Sequence, residues 1–327
     1  TATWGAERLI FGSNWPRVGP HMTLATLTTA EIGEAEKLRI AGDNLRALLA
    51  WDGAPHRREQ LDLRFPPAPD PWVEFGRTGR RPRSMRFQDC HGHLGETAPH
   101  YHLPGCSLPE IVADLQRLGV ERNCVFAFTG VQSDEQPGNT FVAAAVKRYP
   151  RQFVGFTLVN PHRGAAAMRR ELQRGARLGL RGVKLIPHYQ GYPEEGPLIE
   201  VACQWAHERR QIILNHHWGS PRHLERLVSR YSNACFITGH CTTEYAELMR
   251  RYPNIYVCSC PLLGPRACEE VVAQIGADRL LFGSDLEDLP VAWGLGPILF
   301  ARLPARDKRL ILGGNLARLL REYSLRP

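Results

Sequence analysis

From residue 85 onward, short apolar runs alternate with longer amphipathic segments in a regular order. The runs at 87–93, 123–129, 153–159, 182–188, 212–217, 235–241, 254–260 and 279–285 predict strands. The segments at 109–118, 140–148, 165–178, 198–210, 222–231, 244–252, 267–275 and 305–323 predict helices. Eight strands, each followed by a helix, within roughly the 250 residues typical of that architecture, predict an α/β chain of the (β/α)8 TIM-barrel type. A doubly wound open sheet is the alternative. It would ordinarily carry a glycine-rich phosphate turn after its first strand, where this chain has His91-Gly92-His93.

The pattern also repeats. Residues 5–14 match residues 276–285, and Gly42-Asp43-Asn44-Leu45 matches Gly313-Gly314-Asn315-Leu316 at the same offset, so strand, connection and helix have equal lengths in the two copies. Residues 1–51 therefore read as the last strand and helix of a preceding copy whose beginning is missing, and the absence of an initiator methionine fits that reading. Residues 52–84, rich in Pro, Arg and Asp, read as a linker. Residues 85–327 read as a complete barrel, with Met85 as its original start, and residues 1–84 are expected to be dispensable to it. One strand and one helix cannot bury enough apolar surface to fold alone, so Phe11 and the face around Leu45, Leu48 and Leu49 should pack on the barrel, dimerise or stay partly disordered.

Composition narrows the class. The net charge of +8 is concentrated locally in residues 77–86, which reads as a solvated linker and not as a nucleic-acid groove. The nine cysteines are an odd number without paired spacing, which fits reduced thiols in a cytoplasm, and the close pair Cys258 and Cys260 lacks the second half of a zinc ribbon. There is no apolar stretch of membrane-spanning length and no secretory-signal pattern, so a cytoplasmic protein is expected, with a small-molecule substrate, no nucleic-acid or membrane partner, and a homodimer as a compatible state.

The chemistry gathers at the strand ends. His91 and His93, separated by one residue on a strand, point to one face and can reach one metal ion. His216, His217, His240 and Asp285 close later strands, and in this architecture the carboxyl ends of the strands build the active site. Convergence of imidazole and carboxylate groups from four strand ends predicts a metal site, with Lys184 as a further candidate.

The His-x-His strand, the strand Gly182-Val183-Lys184-Leu185-Ile186-Pro187, the strand-five and strand-six histidines and Phe282-Gly283-Ser284-Asp285 together resemble the amidohydrolase superfamily. The nearest branch is the amidohydrolase-related group of metal-dependent hydrolases, lactonases and nonoxidative decarboxylases. The resemblance covers essentially all of 85–327. It implies that His91, His93, His216 and Asp285 hold one divalent metal, Zn2+ or alternatively Mn2+, with Asp285 also moving protons and His240 beside the water or substrate carbonyl. It favours His216 over His217 as the ligand. Lys184 would be a carbamylated bridge if two metals are bound, and otherwise substrate-facing or in a barrel-interior ion pair. His188, Tyr189, His217 and Trp218, with His100 and His102, are candidate substrate contacts. The expected reaction is hydrolysis of a carboxylic amide, ester or lactone. The alternatives are decarboxylation of an aromatic or unsaturated acid, and a catalytically silent binding barrel. Asn14 stands where the second copy has Asp285, so the N-terminal unit is expected to have no site of its own.

Overall fold

A computed structural model describes residues 2–51, 70–95, 107–132, 134–286 and 288–324. Eight strands form one parallel sheet in sequence order: β1 Phe87–Leu94, β2 Val120–Ala127, β3 Phe153–Leu158, β4 Gly182–Leu185, β5 Ile212–Asn215, β6 Cys235–Thr238, β7 Ile255–Cys258 and β8 Leu280–Leu281. The ring closes where β1 meets the chain that follows β8: Cys90 N–H donates to Phe282 O at 2.9 Å and Asp285 N–H to His91 O at 2.9 Å. Helices between the strands cover the outside, as a (β/α)8 TIM barrel requires.

The first of these helices shows how the sequence fixes each unit. In Leu108–Leu118, Ser107 and Glu110 form a reciprocal cap at the start, and Gly119 ends it in the left-handed conformation at φ 84°. Its buried residues Ile111, Val112, Leu115 and Leu118 lie on one stripe at helical spacing, facing the barrel. A large apolar layer between sheet and helices includes Phe87, Leu115, Val142, Leu172, Ile213, Phe236 and Leu312. A second cluster gathers Cys90, Cys124, Phe126, Phe156, Leu214, Ile237 and Cys258 from successive strands.

The strands stop earlier than the apolar runs suggest. Six end two to four residues short, β8 pairs only through Leu280 and Leu281, and His188, placed at the end of the fourth strand, belongs instead to the short helix Pro187–Gln190. At the rim the backbone leaves its ladder and turns, so side chains there are aimed by local conformation and not by strand alternation. The segment expected as one helix over 305–323 breaks near Gly313, where the backbone is non-helical and packs against Gln88. Val291–Leu299 forms a helix that the pattern did not indicate.

The linker reading of 52–84 reaches too far. Residues 52–69 lie outside the described residues, but Asp70 caps a helix, Pro71–Thr78, by accepting from Trp72 N–H at 2.8 Å. Trp72 and Phe75 from that helix are buried in the main core, with both rings 6.3 Å from Phe87. Asp70 also pairs at 2.8 Å with the wholly buried ammonium of Lys308. Further upstream, the helix Pro20–Thr29 buries Met22 and Ala25 and packs on Val291–Leu299 and Pro71–Thr78. The helix Pro71–Thr78 thus belongs to the core and not to a linker. Replacing Phe75 with Ala should destabilise the protein by about 3–5 kcal/mol, the usual cost of emptying a buried aromatic site. Denaturant or thermal unfolding measures this, and a loss below about 1 kcal/mol, the range of most surface changes, would restore the linker reading for this segment.

Candidate metal centre and active site

β1 carries Asp89, His91 and His93 at alternate positions, and all three are buried at the carboxyl end of the barrel. His91 Nδ1–H donates to the Gly239 carbonyl at 2.9 Å, which fixes the tautomer and turns the Nε2 lone pair toward the mouth. His93 is held in place by aromatic rings, stacked on Phe128 at 4.2 Å and edge-on to Phe126 at 4.5 Å. Across the seam, Asp285 adopts the left-handed conformation at φ 61°. Its Oδ1 lies 3.3 Å from His91 Nε2 and 3.1 Å from His93 Nε2.

Asp89 sets this geometry from below. Its carboxylate accepts from His91 N–H at 3.0 Å, from Ser284 N–H at 3.1 Å and from the Ser284 hydroxyl at 2.5 Å. One buried group thus ties the histidine strand to the residue next to Asp285. Burial pushes the Asp89 carboxyl up to about 7, against the pull of those hydrogen bonds.

The donor set fits a cation. Burial, reinforced by Lys184, drives the His91 imidazole well below its ordinary value, so it is neutral and presents a lone pair to Asp285 Oδ1. Burial pushes the Asp285 carboxyl up, and positive charge at His91, then at His93 with its hydrogen bond, pulls it below its ordinary range; with His91 neutral, a cation held between them would have to supply that charge. A lone pair facing a carboxylate oxygen at 3.3 Å is repulsive unless a positive charge lies between them. His91, His93 and Asp285 together have ligand atoms within 4.8 Å of one another, the one such group among the described residues. These are the donor types that suit zinc or manganese.

His216 and His240 form the opposite wall. Their Nε2 atoms are 3.0 Å apart, so one imidazole donates to the other. Burial lowers His216 to about 2, with Lys184 and His240 adding to the fall, and lowers His240 to about 4 against the pull of Asp285. His216 borders the same cavity as the three-residue group without belonging to it. His188 and Tyr189 stand over His216, with ring centres 5.8 and 5.7 Å away.

Other expected residues fall elsewhere. His217 pairs with Glu194 at 2.8 Å and Glu244 at 3.2 Å and does not border the cavity. Trp218 is not a mouth residue: it is fully buried in the core against Phe236, because the loop after β5 turns inward beneath Tyr245. Lys184 is buried with its ammonium 4.2 Å from the centre of the Phe126 ring, and makes no ion pair among the described residues. Burial lowers it to about 7, with Asp285 opposing. The cavity is also lined by Phe128, Val131, Ile186 and Asp288, which the sequence reading did not single out. Asp288, three residues after Asp285 in the turn that follows β8, and Asp89, two before His91, carried signals that were available. The apolar lining had none, since nothing distinguishes it from ordinary core residues. His100 and His102 lie outside the described residues.

No curated protein matches the chain. Among solved structures it is similar to 5-carboxyvanillate decarboxylase from Sphingomonas paucimobilis, at 16% identity and a TM-score of 0.54, over 73% of this chain and 100% of the other. It is also similar to a 5-carboxyvanillate decarboxylase from Novosphingobium aromaticivorans with bound manganese, at 15% identity and a TM-score of 0.55, over 73% and 98%. A probable 2-pyrone-4,6-dicarboxylic acid hydrolase from Acinetobacter baumannii, with citric acid bound, matches at 14% identity and a TM-score of 0.54, over 72% and 99%. At these identities the likeness establishes the barrel. A family model described as amidohydrolase matches residues 89–321, most of the chain and nearly all of the barrel. With the histidine pair on β1 and the carboxylate after β8 in one buried group, the chain belongs to the amidohydrolase family of metal-dependent hydrolases and decarboxylases.

Proposed function

We propose that this protein hydrolyses a neutral carboxylic amide, ester or lactone, using one divalent metal ion held by His91, His93, His216 and Asp285. The observation that carries the reading is the charge of the cavity wall. Its described residues include the carboxylates Asp285 and Asp288 and no Arg or Lys. A carboxylate-bearing substrate would have to be desolvated with no Arg or Lys in that described lining to bind it, and only the metal to offset the penalty. A neutral acyl compound meets no such penalty.

When bound, the metal would supply a Lewis acid and lower the pKa of water to about 7. Asp285, kept ionised beside two imidazoles, takes the proton from an attacking water and returns it to the leaving group. His240 lies on the opposite side of the cavity, where an N–H donor stabilises negative charge growing on the carbonyl oxygen. His91 and His93 are held by Gly239 and by the two phenyl rings, so they need little reorganisation on binding. Tyr189, which lines the cavity beside His216, would contact the acyl portion, with His188 outside the described lining, and Phe128, Val131 and Ile186 would provide an apolar wall that excludes water.

Decarboxylation of an aromatic or unsaturated acid is the second reading, supported by the decarboxylases among similar structures and by the aromatic and aliphatic wall. The metal itself would then have to bind the substrate carboxylate. Assays of lactones, amides and carboxylic acids separate the two. Acid production from neutral substrates is expected, and release of carbon dioxide with no hydrolysis of any neutral acyl compound would overturn the preferred reading.

Elemental analysis of the purified protein should find about one divalent ion per chain, zinc or manganese, in line with a single group of protein ligands. Finding no metal even after reconstitution would remove the site. Two ions per chain, with one lost on Lys184→Met, would instead make Lys184 a bridging residue.

Asp285→Asn keeps the shape but removes charge and basicity, so turnover should fall on the order of 10²–10⁴-fold, the usual contribution of a positioned acid or base. His240→Asn should lower the rate with metal content retained, whereas His91→Asn and His216→Asn should lose metal. If His240→Asn empties the site as fully as His91→Asn while His216→Asn does not, the roles of the two wall histidines are exchanged.

A further inference from the structure

The two sequence copies make the same local structure in opposite environments. Phe11 N–H donates to Ile40 O at 2.9 Å, and its counterpart Phe282 donates to Ile311 O at 2.9 Å. The Asn44 amide donates to Ala6 O and Leu9 O at 2.7 and 2.8 Å, and Asn315 donates to Ala277 O and Leu280 O at 2.8 and 2.9 Å. Asn14 and Asp285 share the left-handed backbone, at φ 59° and 61°. The unit is one folded pattern made twice.

What differs is the inner face. In the barrel, Leu281, Leu316, Leu319 and Leu320 are 0, 0, 0 and 1% exposed. The matching residues Ile10, Leu45, Leu48 and Leu49 are 47, 40, 71 and 63% exposed. The carbonyl of Phe282 accepts from Cys90 N–H across the seam, while that of Phe11 accepts no backbone bond among the described residues. This is a barrel wall with the barrel missing. A contiguous apolar surface of that kind on a folded unit marks an interaction site. The outer face is already covered: Pro20–Thr29 packs on Val291–Leu299, its own counterpart by the repeat, with Gly296 admitting the His21 backbone where a Cβ would collide. Like helices of two units packed on each other are what an approximate two-fold between two barrels produces.

We infer that the face formed by Ile10, Leu45, Leu48 and Leu49 is the eighth-unit wall of a second barrel of this family, whose first seven strand–helix units are supplied by polypeptide preceding Thr1. The occupant is specified by the counterpart face, which the same molecule covers with its first and seventh strands: Leu286 and Phe282 pair with β1, and Leu280 and Leu281 with β7. No small ligand offers parallel backbone partners on both sides of a strand. In that second barrel Asn14 occupies the place that Asp285 holds here, so its mouth carries an amide in place of the carboxylate.

The test is the polypeptide as its source cells make it. Its intact mass should exceed that of the 327-residue chain by on the order of 200 residues, most of a barrel of roughly 250. Hydrogen exchange in that polypeptide should protect Ile10, Phe11 and Leu45 to Leu49 as strongly as Leu281, Phe282 and Leu316 to Leu320. A native polypeptide that begins close to Thr1, or a longer one in which Ile10 and Phe11 exchange as freely as exposed amides, overturns the inference. So does sedimentation of the 327-residue chain as a homodimer that Leu48→Glu converts to monomer, because the face would then belong to a second copy. None of these outcomes touches the residues of the proposed reaction, so the two readings stand or fall separately.

Discussion

A ring of parallel strands has to close, and here closure runs through one buried carboxylate. Asp89 bonds the backbone of His91 on β1 and both the backbone and hydroxyl of Ser284 after β8, at the point where the first and last units meet. Across that seam the described residues form no continuous strand ladder, only the backbone bonds from Cys90 N–H to Phe282 O, from Asp285 N–H to His91 O and from His93 N–H to Leu286 O. The carboxylate supplies what the ladder lacks, and the same bonds set His91 and Asp285 at a fixed separation. Closing the barrel and building the site are one event. Left without its partners, Asp89 would be a charge in a low-dielectric interior, which is among the most unfavourable arrangements a protein can contain.

The electrostatics of the mouth follow from that placement. Burial strips His91, His216 and His240 of their protons, while Asp285 remains ionised among them. The result is a cluster of lone pairs around a negative charge. Such a cluster is unfavourable by itself and favourable around a divalent cation, so the residues are matched to a metal before any substrate is considered. Lys184 lies deeper, its ammonium against the face of Phe126, and lends positive potential to the site without touching it.

The N-terminal unit shows how little of a residue's role lies in the residue. Leu45 and Leu316 sit at the same position of the same local motif, yet one is exposed and the other fully buried. Short-range bonds reproduce the motif in both places because they depend on sequence neighbours. Burial depends on what else arrives.

Hydrophobic periodicity, the strand-end histidines and the repeated segment were all legible in the chain, because each is written within one or two turns of sequence. The number and order of strands, the pair His91 and His93, and Asp285 follow from it. The helix Pro71–Thr78 was partly legible: Asp70 before Pro71 is a helix start, and Trp72 and Phe75 are spaced three apart, but the surrounding prolines and arginines favoured a linker. Trp218 went astray for a different reason. A loop residue next to a site histidine faces the mouth or the core according to how its loop turns, and Tyr245, distant in sequence, decides that. The tertiary structure alone also decided which nitrogen of His91 faces Asp285, that Asp89 closes the ring, that Asp288 and three apolar side chains line the cavity, and that Lys184 is buried without an ion pair among the described residues. Sequence determines what is encoded by periodic neighbours along the chain. Orientation, burial and charge state are set by groups that meet only when strands far apart in sequence are brought side by side.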